Sequence, residues 1–102
     1  MTDIFCLRTG TLDTAKTRIM LTPADAAILG HLRKIQPDIA SKQDLSQAVW
    51  GPEEQWPPGW FETIEAHLAH LRKAMLKGGA ESKIRNHYAF GWHLEGTLEW
   101  VE

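Results

Sequence analysis

Little in this chain invites an extracellular, membrane-bound or catalytic reading. Cysteine occurs once, at Cys6, so no internal disulfide can form and a reducing, cytoplasmic setting is expected. The apolar runs fall far short of a bilayer span, so no membrane association is expected. The opening Met-Thr-Asp-Ile-Phe lacks a basic region ahead of an apolar run, so no signal peptide is read. There is no excess of positive charge either: the formal net charge is −2. No nucleophile–base–acid arrangement and no phosphate-cradling glycine loop can be recognised, so neither an enzyme nor a cofactor is expected. His67 and His70 are spaced for a shared metal on a helix, but no third ligand stands at a fixed spacing, and no metal site is expected. The 102 residues predict one domain, 1–102, with a modest core and little room for an enclosed active site.

What is present is an ordinary folded composition, 43% hydrophobic and 24% charged. The charge is unevenly spread. Residues 66–94 carry a net +4, from Arg72, Lys73, Lys77, Lys83 and Arg85 against Glu81, while residues 1–65 and 95–102 each carry −3. Four of the five histidines, His67, His70, His87 and His93, lie in the positive segment. Residues 3–21 alternate loosely and predict two or three short strands. Thr22-Pro23-Ala24-Asp25 is a helix start, with Thr22 as cap, Pro23 in the first turn and Asp25 at the positive end of the dipole. Ile28, Leu32 and Ile35 follow at helical spacing until Pro37.

Ser41 to Asp44 is a second capping signal, leading into a short helix with Leu45, Ala48 and Val49 as its buried stripe and Gly51 as its stop. Gly51 to Gly59, GPEEQWPPG, reads as an irregular loop because of Pro52, Pro57 and Pro58. A long helix over about 60–77 places Phe61, Ile64, Leu68, Leu71 and Met75 on one stripe, and Gly78-Gly79 ends it. Ile84 to Leu94 predicts a hairpin, turning near His87 to Ala89, with Gly91 as a flexible point in the returning strand. Leu98, Trp100 and Val101 predict a last edge strand. Trp50 and Trp92 read as core. Short strands followed by a helix, a second helix and a β-hairpin are the layout of a winged helix-turn-helix, an α+β fold class.

These pieces resemble the C-terminal DNA-binding (effector) domain of OmpR/PhoB-type response regulators. The matching residues are Leu21-Thr22-Pro23, Leu45 to Gly51 (LSQAVWG), Thr63 to Lys73 (TIEAHLAHLRK), and Ile84-Arg85 with Phe90-Gly91-Trp92-His93-Leu94. They run through nearly the whole chain in the family's order and spacing. The resemblance implies an N-terminal antiparallel sheet, three helices and a C-terminal β-hairpin wing, in a bacterial or phage DNA-binding transcription regulator. Its third helix would enter the major groove of double-stranded DNA, and its wing would reach the adjacent minor groove. It also implies that the loop between the second and third helices touches RNA polymerase. The family usually carries a receiver domain ahead of this module, for which the chain has no room. The family usually has arginines where this chain has Glu62, Ala69 and His70, and an arginine-glycine pair in the wing where it has Tyr88-Ala89.

Candidate DNA-binding residues follow. Thr63, Ala66, His70 and Lys73 occupy the helix face set to point into the groove, where Thr and Ala can meet thymine methyls. Arg72, Lys77 and Arg85, with Lys73 and Lys83, suit phosphate. Tyr88 at the wing tip suits a minor groove or a partner, and it equally suits packing on its own strands. Glu53, Glu54 and Trp56 in the loop suit a protein partner, RNA polymerase or another transcription regulator, with Trp60 more suited to packing. A homodimer is compatible with these features. The alternative reading keeps the scaffold as a protein-interaction module with weak or no DNA binding, which Glu62, Ala69 and Tyr88 favour.

Overall fold

The computed structural model describes residues 2–101. Three short strands open the chain: β1 (Asp3–Cys6), β2 (Thr11–Asp13) and β3 (Arg18–Met20). They pair antiparallel in sequence, β1 with β2 and β2 with β3. The last strand of the chain, β6 (Leu98–Val101), joins the free edge of β1. It does so in parallel, so the predicted last edge strand makes the sheet, ordered β3-β2-β1-β6, a mixed one. A parallel neighbour requires a long crossover, and here the three helices and the wing supply it.

Helix α1 (Pro23–Ile35) starts where the sequence predicts: the Asp25 N–H donates to Thr22 Oγ1 at 3.1 Å. Helix α2 (Lys42–Trp50) opens with a reciprocal box, Asp44 N–H to Ser41 Oγ and Ser41 N–H to Asp44 Oδ2. Its buried residues are Leu45 and Ser46; Ala48 and Val49, expected in the stripe, are half-buried. The 51–59 segment is not wholly irregular. Glu53–Gln55 form one 3₁₀ turn, because Pro52 caps it without needing a helical N–H and the later prolines stop it.

Helix α3 (Trp60–Lys77) buries Ile64, Leu68, Leu71 and Met75. Phe61, predicted on the same stripe, is only half-buried; it packs on Trp60 and carries the Lys42 ammonium 3.5 Å above its ring. The wing is the hairpin of β4 (Lys83–His87) and β5 (Gly91–Glu95). Gly91 is not a flexible point but a close approach. Its φ is +138°, and a Cβ there would lie 2.0 Å from the Ala40 carbonyl oxygen. The neighbouring Trp92 exchanges both backbone hydrogen bonds with Ala40, at 2.7 and 2.9 Å, which fastens the wing to the segment before α2.

The core gathers Phe5, Leu12, Ile28, Leu29, Leu32, Leu45, Ile64, Leu68, Leu71, Ile84, Trp92, Leu94 and Leu98 between the sheet, the helices and the wing. Trp92 is core as expected, whereas Trp50 stands half-buried at its margin. Two polar contacts tie the sheet to the far end of α3. Buried Asp3 accepts from the Ser82 N–H at 2.8 Å, from Ser82 Oγ–H at 2.5 Å and from the Glu81 N–H at 3.2 Å. Thr14 Oγ1–H donates to the Gly78 carbonyl at 2.7 Å. The start of the wing is thereby fixed relative to the end of α3.

Candidate nucleic-acid interface

With one stripe of α3 in the core, the opposite crest is set by geometry at about 100° per residue. Glu62, Ala66, Ala69, Lys73 and Lys77 are all exposed there. Thr63 is half-buried beside the crest, and its hydroxyl donates to the Gly59 carbonyl at 3.0 Å. His70 is exposed, but its Nδ1 stands 3.0 Å from Asp25 Oδ2. His67 reaches the same carboxylate, Nδ1 to Oδ1 at 3.5 Å. Asp25 is only 1% exposed. The His70 contact is a hydrogen bond, whereas Asp25 Oδ1 is buried without a hydrogen-bond partner among the described residues. The flank of α3 is therefore held to the first turn of α1. Sequence reasoning placed Asp25 at a helix dipole and His70 in a groove, and missed that the fold joins them.

The outward face of the wing carries Lys83, Arg85 and His87 on β4 and His93 and Glu95 on β5. Arg85 forms a two-pronged pair with Glu95, Nε to Oε2 at 2.8 Å and Nη2 to Oε1 at 3.2 Å. That hydrogen bond holds the Glu95 carboxyl below the usual carboxylate range and raises the Arg85 guanidinium further. His87 Nε2 and His93 Nδ1 meet at 2.5 Å, one ring nitrogen donating to the other. At the tip, Tyr88 is 91% exposed, so it does not pack on its own strands, and Phe90 is 75% exposed.

Between α3 and β4 lies an open cleft of about 460 Å³. Met75, Leu76, Ala80 and Ile84 contribute apolar lining, and Arg72, Lys73, Lys83 and Arg85 bring four cationic side chains to it. Among the described residues no carboxylate pairs with Arg72, Lys73 or Lys83. The fold thus brings together the cations that the sequence had spread over two elements. Lys77 stands at the exposed end of α3, one turn beyond Lys73.

The loop before α3 forms a separate surface. Glu53 and Glu54 are exposed. Trp56 is half-buried, its ring 4.8 Å from that of Trp60 and its indole N–H donating to the Gly51 carbonyl at 2.9 Å. Trp56 therefore offers an edge of its ring, since its polar atom is already used. No group of three or more His, Cys, Asp or Glu among the described residues could hold a metal ion. No helix among them is long and apolar enough to cross a membrane.

A helix pair with an exposed second helix, a basic cleft and a hairpin wing define a winged helix DNA-binding domain. The chain belongs to the family described as transcriptional regulatory protein, C terminal, the OmpR/PhoB-type DNA-binding domain, whose model matches residues 16–94. That family is a regulatory class, not an enzyme class. The fold is shared with a lantibiotic response regulator, the C-terminal domain of the nisin resistance regulator NsrR. The TM-score is 0.72 at 22% identity, over 88% of this chain and 89% of that one. It is shared too with the DNA-binding domain of the response regulator AdeR, solved in complex with an intercistronic region. There the TM-score is 0.75 at 15% identity, over 95% and 97% of the two chains. No curated protein matches the sequence.

Proposed function

We propose that this domain binds duplex DNA as a transcription regulator, with α3 in the major groove and the β4–β5 wing over the adjacent minor groove. The cleft between them carries the reading. A helix in one groove and a wing in the next straddle a single phosphodiester strand. Arg72, Lys73, Lys83 and Arg85 line the space where that strand would run. Their charge supplies affinity without sequence preference. Ala66 and Ala69 on the crest are small enough to approach thymine methyls, and Lys73 and Lys77 reach phosphate. Thr63 and His70 border the groove wall on the α1 side, and Tyr88 extends from the wing. The AdeR domain, solved with a DNA region, supports DNA as a ligand of this fold.

We assign the 51–59 loop to a protein partner, RNA polymerase or another transcription regulator. Exposed Glu53 and Glu54 suit a basic protein surface and repel DNA, and the Trp56 edge supplies apolar area. Glu62 favours a competing reading in which this loop is the principal binding surface and DNA is bound weakly or not at all. One substitution separates the two. With α3 in the groove, Glu62→Arg removes a repulsion and adds a phosphate partner, and should tighten binding to mixed-sequence duplex by about three- to tenfold at low salt. DNA affinity left flat, with loss of binding to a protein partner, would establish the interaction-module reading instead.

A further inference from the structure

The wing tip has a feature that charge does not explain. From Ser82 to Leu94 there is no acidic residue, and Lys83 and Arg85 lie on the strand leading to the turn. The turn itself, Tyr88-Ala89-Phe90, carries no cation, yet it presents two aromatic rings 91% and 75% exposed. The Phe90 N–H donates to the His87 carbonyl at 2.8 Å and closes the turn. Ala89 takes φ +67° at its third position, where glycine or asparagine is usual. Directly below, the His87 and His93 rings meet across the two strands, and Gly91 and Trp92 are seated on Ala40. The aromatics thus stand on a platform fixed at both its strands, and they fill no cavity of this fold.

A tip without arginine cannot read a minor groove by charge. Exposed apolar rings carried on a basic hairpin suit another mode, insertion between base steps. We propose that the wing is a DNA-bending wedge: Phe90 enters between adjacent base pairs from the minor groove, and Tyr88 lies along the groove beside it. The inference rests on the DNA-binding reading above. The preferred sites are pyrimidine–purine steps, which unstack most easily, and the bend would be toward the major groove. Sequence preference then arises at positions that no hydrogen bond reads.

Ring closure of a linear duplex of about 120 bp by DNA ligase tests this, since that length is shorter than the persistence length of about 150 bp. The probe is a mixed-sequence fragment with phased TA steps. The intact protein should raise ring yield by about tenfold or more over free DNA, because wedge-driven kinks of 20–90° replace elastic bending. Phe90→Ser should bind more weakly but with the same salt slope, since no cation is lost, and should abolish the gain in rings. Phe90→Leu, which keeps an apolar wedge, should retain much of it. Binding by the intact protein without faster ring closure, or Phe90→Ser closing rings as well as the parent, overturns the wedge and leaves DNA binding standing. So does self-association that Phe90→Ser abolishes while ring yield is unmoved, which would assign the tip to a second copy. Absence of any duplex binding at low salt overturns the binding reading and the wedge with it.

Discussion

Two carboxylates decide how the basic side of the molecule is presented. Glu95 holds Arg85 in a two-pronged pair at the rim of the cleft. Its carboxyl is held below the ordinary range by that hydrogen bond, so the pair persists at neutral pH. A lowered folded-state value means that the pair's small contribution to stability is present above the ordinary glutamate range. That contribution is lost only as pH falls through the folded value. Both partners are about half exposed, so the guanidinium is cheaply released. Glu95→Gln should therefore leave the denaturation midpoint nearly unmoved while tightening DNA binding and steepening its salt dependence. Affinity equal to the parent's would show that Arg85 does not face DNA. Asp3 acts through position. Replacing it with alanine takes from the buried Ser82 N–H and hydroxyl the carboxylate they donate to. A cost of about 1–3 kcal/mol is expected, read as a lower urea midpoint. An unchanged midpoint would deny Asp3 a role in fixing the wing. Neither role was legible beforehand. The Thr22 and Ser41 caps act over three residues and can be read locally, whereas Asp3 and Ser82 are 79 apart and Asp25 and His70 are 45 apart.

Among the elements, helices with a strict apolar period declared themselves. The α3 stripe of Ile64, Leu68, Leu71 and Met75 is buried as its spacing predicts. Phe61 obeys the same period but lies in the first turn, beyond the reach of the core, and joins the loop aromatics instead. Gly91 was read from its lack of a side chain as freedom; the structure shows that the missing Cβ makes room for the Ala40 carbonyl. The direction of β6 could not be read, since pairing in parallel or antiparallel leaves the same alternation in a short edge strand. The loop before α3 is more ordered than its prolines suggested, and this changes what Trp56 should do. Trp56→Ala loses its hydrogen bond to Gly51 and its tilted ring contact with Trp60. The hydrogen bond alone should cost about 0.5–1.5 kcal/mol. DNA affinity and its salt slope should stay as in the parent, while capture of RNA polymerase or another regulator fails. Partner capture by a folded Trp56→Ala variant equal to the parent's would remove the assignment of this loop.

At the scale of the whole molecule, the net charge of −2 conceals a separation. The fold gathers Arg72, Lys73 and Lys83 around one cleft and leaves Glu53 and Glu54 exposed in the loop before α3. Such an arrangement orients the domain towards a polyanion despite its acidic balance. The claim at the centre of this account is that α3 and the wing straddle one phosphodiester strand. A salt titration of binding to mixed-sequence duplex DNA tests it most directly, comparing the parent with Lys73→Ala/Lys83→Ala. Arg72, Lys73, Lys77 and Lys83 neutralising one phosphate each predict a slope of log K against log salt of about −3.6 for the parent, at about −0.9 per phosphate. Loss of two of these contacts should leave the double variant at about −1.8, with weaker binding to every sequence. Equal slopes for the two proteins, or no binding by the parent at low salt, would contradict it.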